Sequence, residues 1–95
     1  MEFRLVTLLL TYDVCDDRRR ERLSRVLLDY GRRVQESVFW VEADEELVER
    51  LRVRAGAEVA EEDSLWIVPV CEACAKKIQT LGAVRVPELP EYYVV

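Results

Sequence analysis

No histidine occurs in the chain of 95 residues. That excludes histidine general bases, Ser-His and Cys-His nucleophile pairs, and histidine metal ligands. Any hydrolysis would have to rely on carboxylates or on a metal-bound hydroxide. Thiols are scarce, with three cysteines in all. Cys71-x-x-Cys74 has the spacing of half a zinc site, but a structural zinc site needs four ligands. Cys15 is the remaining thiol and leaves the set incomplete; it reads as a small, partly buried residue near the first helix. A redox role for the pair would want a strand-to-helix setting of the thioredoxin kind. No apolar run is long enough to span a bilayer. The first one has Glu2 and Arg4 at its start, leads into charged residues and lacks a small-residue cleavage site, so it does not read as a signal peptide. A cytoplasmic protein with no membrane partner is expected. Internal repeats, low-complexity segments and linkers are also missing.

What is present describes one small globular domain. The hydrophobic fraction is 51% and the charged fraction 35%, a balance that supports a modest core and not a disordered chain. Residues 1–86 read as a single domain and 87–95 as a tail. The net charge of −5 argues against indiscriminate nucleic-acid binding, because phosphate contacts need cations. The distribution carries more than the sum. Arg18, Arg19, Arg20, Arg22, Arg25, Arg32 and Arg33 are half of the 14 lysines and arginines, gathered in one block. Arginine suits bidentate phosphate contacts, although a solvated helix face is the blander explanation.

The run Leu5–Asp13 reads as a buried strand ending in Tyr12 and the carboxylate of Asp13. Asp16 or Asp17 is a plausible cap for a helix running to about Tyr30, with Leu23, Val26, Leu27 and Tyr30 as its buried stripe and Gly31 as its stop. Residues 32 to 43 read as strand, and the alternation slips around Ser37-Val38-Phe39-Trp40. That slip predicts a bulge or a break into two strands. Asp44 caps a second helix with a Leu47, Val48 and Leu51 stripe and Gly56 near its end. Ser64–Val70 is a third core strand, ended or pushed to an edge by Pro69. A short strand is expected in the apolar region 78–86. The order predicts an α+β sandwich, with helices on one face of an antiparallel sheet, of the ferredoxin-like βαββαβ type with an extra C-terminal strand. The uncovered face would carry Val38, Trp40 or Trp66, and a second copy would bury them. Asp13 alone is thin for magnesium, which takes one or two carboxylates and fills its shell with water and phosphate oxygens. Two protomers placing Asp13 near a shared axis would suffice.

Taken together, Tyr12-Asp13-Val14, Asp16-Asp17-Arg18-Arg19-Arg20, Tyr30-Gly31-x-Arg33-Val34-Gln35-x-Ser37-Val38-Phe39, and Glu62-Asp63-Ser64 leading to Pro69-Val70-Cys71 and Cys74 resemble the CRISPR-associated protein two family. These are small proteins of the CRISPR adaptation module, often called CRISPR-associated endoribonucleases. Trp66 departs from the pattern, since a charged residue is more usual there. The resemblance implies a ferredoxin-like homodimer in which the last strand of each chain reinforces the other's sheet. It implies magnesium held by Asp13, and metal-dependent cleavage of single-stranded RNA or double-stranded DNA. By matching positions it marks Tyr12, Arg20, Arg33 and Phe39 as further catalytic candidates beside Asp13. It also implies work beside the CRISPR integrase in acquiring spacers, where the protein can bridge DNA without cutting. Arg18, Arg19, Arg20, Arg22 and Arg33 are the nucleic-acid-binding candidates under either role.

Overall fold

A computed structural model describes residues 5–82. Seven elements follow in order: β1 (Leu5–Asp13), α1 (Asp17–Leu28), β2 (Gly31–Gln35), β3 (Val38–Asp44), α2 (Glu45–Gly56), β4 (Ser64–Val70) and a short α3 (Glu72–Ala75). The four strands form one sheet in the order β2-β3-β1-β4, and every pairing is antiparallel. With α1 and α2 inserted as crossovers, this is the expected ferredoxin-like βαββαβ arrangement. The expected extra strand reaches into residues 83–86, outside the described residues. No helix among the described residues is long and apolar enough to cross a membrane.

Strand alternation sorts β1 into two faces. Leu8, Leu10 and Tyr12 point to the helices and join Phe39, Val41 and Ala43 of β3 in the core. The register fixes this, because Leu8 stands opposite Val41 and Leu10 opposite Phe39. Leu23 and Leu27 of α1 and Leu51 and Ala55 of α2 close the core from above. Each such buried leucine contributes about 1.5–3 kcal/mol from its apolar area. The other face carries Leu9 and Thr11, opposite Trp40 and Val38 on one side and Val68 and Trp66 on the other. Trp66 is 64% exposed there. Trp40 shares the face but is only 3% exposed, and its indole Nε1 donates to the Glu42 carboxylate at 2.9 Å.

Local chemistry explains the ends of the elements. Asp16 caps α1 by accepting the Arg19 N–H at 2.9 Å, and Asp44 caps α2 by accepting the Leu47 N–H at 2.8 Å. The predicted slip is a two-residue turn at Glu36-Ser37, with a register shift between Arg33 and Gln35. Pro69 lies on β4, which among the described residues pairs with β1 alone. At the far end of the sheet, Arg54 of α2 donates to Asp29 at 2.9 Å and lies over the Tyr30 ring at 5.4 Å.

Three expectations change. Helix α1 ends at Leu28, and Gly31 is the first residue of β2. Its φ is not positive; what it provides is close approach, since a Cβ there would sit 2.2 Å from the Trp40 carbonyl oxygen. Leu47 is 39% exposed, and the buried stripe of α2 is completed by Ala55 instead. Cys15 is exposed, not partly buried. Because the atom facing Gly31 belongs to backbone, Gly31→Ala should push β2 from β3 and cost about 1–3 kcal/mol, as overpacking does. Urea unfolding measures it, and an unshifted midpoint would show that the hairpin opens freely.

Candidate nucleic-acid interface

Helix α1 starts immediately past the end of β1, so its arginine-rich first turn lies beside Tyr12 and Asp13. The Asp16 carboxyl is held below the usual aspartate range, chiefly by the Arg19 N–H it accepts. From that turn the arginines diverge. Arg19 reaches the loop before β4, where its Nε donates to Asp63 at 2.8 Å, and Nη2 donates to Asp63 at 3.2 Å and to Glu62 at 3.0 Å. The Asp63 side chain is 0% exposed and also accepts the Ala60 N–H at 3.0 Å. The Arg19 hydrogen bonds hold the Asp63 carboxyl below its usual range, with the Ala60 N–H adding to them, and the same bonds raise Arg19. Arg19 is thereby committed to the fold. Arg22 pairs with Glu58 at 2.8 Å and Arg25 with Glu21 at 2.6 Å.

Arg20 is held differently. It donates to the Val14 carbonyl at 3.0 Å and pairs with Asp17. It borders an open hollow of about 320 Å³ with Tyr12, Arg33, Ser24 and the carboxylates of Asp17, Glu21 and Glu36. Tyr12 is the aromatic side chain that lines it. Tyr12 and the fully buried Phe39 stack with ring centroids 6.1 Å apart. The Arg33 guanidinium lies 5.2 Å over the Phe39 ring, within cation–π range. The Tyr12 hydroxyl donates to the Glu36 carbonyl at 3.4 Å, and the Tyr12 N–H donates to the Ser37 carbonyl at 3.2 Å. Four of the five catalytic candidates, Tyr12, Arg20, Arg33 and Phe39, therefore form one group.

Asp13 is not part of it. Alternation turns it to the face of Thr11 and Leu9, away from Tyr12, where it stands opposite Ser64. It is exposed and, among the described residues, its carboxylate makes no hydrogen bond or ion pair. No cluster of three or more His, Cys, Asp or Glu residues that could hold a metal occurs among them either. One unengaged carboxylate fits magnesium as a single hard-oxygen ligand, with waters or a second carboxylate for the rest. Among the described residues Arg18, Arg32 and Arg33 enter no ion pair. Arg32 was not among the binding candidates, although the arginine block contained it. Asp63 was legible only within Glu62-Asp63-Ser64 of the family pattern, with no role given to it.

A four-stranded antiparallel sheet with two crossover helices and an arginine-rich strand-to-helix junction defines a small ferredoxin-like protein. The family model for CRISPR associated protein Cas2 matches residues 6–78, and the chain belongs to that family. It is 44% identical over 84 residues to a protein of Thermus thermophilus named CRISPR-associated endonuclease Cas2 2, covering 87% of this chain and 89% of the relative. Its fold matches the crystal structure of the hypothetical protein TT1823 from Thermus thermophilus, with a TM-score of 0.78 at 38% identity over 90% of this chain and all of the other. It also matches a chain of a partial Cas6-RT-Cas1–Cas2 complex, with a TM-score of 0.68 at 27% identity, covering 90% of this chain and 94% of that one.

The Arg19–Asp63 pair has a pH signature. A carboxyl held low in the folded state contributes stability that is fully present above its unfolded value, about pH 4. That stability is lost as pH falls through the lower folded value. Asp63→Asn should therefore lower the melting temperature by several degrees at neutral pH, and the gap to wild type should narrow below about pH 4. A gap that does not narrow would mean the charge of Asp63 contributes nothing.

Proposed function

We propose that this chain acts in CRISPR adaptation, the acquisition of spacers, as a magnesium-dependent endonuclease that cuts phosphodiester bonds of single-stranded RNA, double-stranded DNA or both. The observation that carries the reading is Asp13: an exposed, unengaged carboxylate at the end of a core strand, on the face away from the helices. That face also exposes Trp66 and Val68, at 64% and 39%. A second copy covering it would bury them and bring two Asp13 side chains toward one axis. Membership of the family, and the endonuclease name of the Thermus relative, support the activity.

Asp13 from each protomer would hold the ion, which when bound supplies an activated water and a Lewis acid for the scissile phosphate. Arg33 and Arg18 neutralise backbone phosphates of the bound nucleic acid. Arg20 keeps the turn between β1 and α1 in place through the Val14 carbonyl, and so fixes where Asp13 ends. The Tyr12–Phe39 stack gives Arg33 a rigid floor and keeps its guanidinium from folding into the sheet.

A second reading is a DNA-binding bridge that scaffolds the integrase without cutting. The structural neighbour from a partial Cas6-RT-Cas1–Cas2 complex favours it, as do Arg18, Arg32 and Arg33. The two readings part at Asp13. With magnesium, Asp13→Ala should lower cleavage of RNA or duplex DNA at least 100-fold and leave DNA affinity unchanged. Full retained cleavage would remove Asp13 from catalysis. Loss of cleavage with normal spacer acquisition would make the bridge the biological role. Arg33→Ala should weaken binding and reduce the salt slope by about one, as expected for one lost phosphate contact.

A further inference from the structure

The cysteine pair has the setting that a redox role requires. Strand β4 ends at Val70, Cys71 follows at once, and α3 begins at Glu72. The sequence is therefore strand, Cys-x-x-Cys, helical turn. Cys71 is the cap of that turn, and its Sγ accepts the Cys74 N–H at 3.4 Å. The Cys71 carbonyl accepts the Ala75 N–H at 2.8 Å, which closes the turn. Residues three apart in such a turn have Cα atoms within about 7 Å, the upper limit for a disulfide. All three thiols are free and exposed.

We propose that Cys71 and Cys74 are a redox site that closes to an internal disulfide by exchange with small disulfides of the glutathione class. The two thiols are not equivalent. The Cys74 N–H, and after it the Cys74 thiol, pull Cys71 below the usual thiol range, while the Cys71 side chain pushes Cys74 up. Cys71 also borders an open hollow of about 630 Å³ with Glu72, Lys76 and Lys77. Lysines near a thiol favour its thiolate, the nucleophilic form. Lys76 is paired with Glu72 at 3.1 Å, and Lys77 lines the same hollow and enters no ion pair among the described residues.

The exchange balances without any further reactant. The Cys71 thiolate attacks one sulfur of the small disulfide; that S–S bond breaks and one thiolate leaves. Cys74 then loses its proton to solvent and attacks the Cys71 sulfur of the mixed disulfide, and the second thiolate leaves. Two protein thiols are oxidised to one disulfide, and one small disulfide is reduced to two thiols. The site is independent of Asp13 and of the proposed cleavage.

The test uses the full chain carrying Cys15→Ser, which removes the third thiol. Reduced protein should take up two alkylating groups, and protein equilibrated with oxidised glutathione should take up none while staying uncrosslinked. At pH 7, Cys71 should be alkylated several-fold faster than Cys74. Peptide mapping of the oxidised wild-type chain reads the same bond should Cys15→Ser fold poorly. Stable glutathione adducts on both cysteines, or only disulfides between chains, would overturn the proposal. So would zinc retained at one ion per two chains with both thiols resistant to oxidation, which would assign the pair to a metal site shared between copies.

Discussion

Strand β1 is hydrogen-bonded on both sides, to β3 and to β4, and its alternation therefore gives every residue near the site a face. Tyr12 and Asp13 are neighbours in the chain, yet the strand sends them to opposite sides of the sheet. Tyr12 is 7% exposed and anchored in the core, so its position is fixed by packing. Asp13 is exposed and fixed only by backbone pairing with β4. The aromatic group can rigidify the strand end without touching whatever Asp13 holds. Its contribution to chemistry on the other face is one of positioning, through the strand they share.

The arginine block resolves into three populations by the same logic of partners. Arg19 has a buried carboxylate to satisfy, and an unpaired buried Asp63 would be costly. Arg22 and Arg25 meet carboxylates on the protein surface, where ion pairs contribute little and are easily exchanged. A phosphate backbone can compete for Arg22 or Arg25 far more readily than for Arg19. The net charge of −5 does not prevent local attraction, because charges separated by more than about 8 Å are largely screened at physiological salt. Arg18, Arg32 and Arg33 need displace no carboxylate of their own, and are the residues best placed for a first contact.

Features set by adjacent residues were legible in the sequence. The caps at Asp16 and Asp44 depend on one side chain and an N–H three residues on, so the local sequence locates Asp44 and narrows the first cap to Asp16 or Asp17. The bounds of β4 follow from an apolar run between a charged turn and Cys71. Features set across the fold were not legible. Arg19 and Asp63 are 44 residues apart, and no periodicity joins them. Gly31 was misread because a helix stop and a close backbone approach both demand glycine, and only the β2–β3 pairing separates them. Helix α3 is four residues long, too short to show a period. The grouping of Tyr12, Arg20, Arg33 and Phe39 came from the family likeness, while their separation from Asp13 was available from strand alternation alone.

The antiparallel pairing of β1 with β4 also separates the two chemistries of the chain. Asp13 stands opposite Ser64, at the start of β4, and Thr7 stands opposite Val70, at its end. The thiol pair begins one residue beyond Val70. Six residue steps of extended chain span roughly 20 Å, so a change at Cys71 cannot reach Asp13 by direct contact or by its field. The connection that remains is mechanical, through β4 itself. Its outward face carries Trp66 and Val68, and its second edge is unpaired among the described residues. Tightening the turn at Cys71 acts first on the end of that edge strand. Any effect on the strand-end carboxylate must then pass through how that edge and face are covered, and so through assembly.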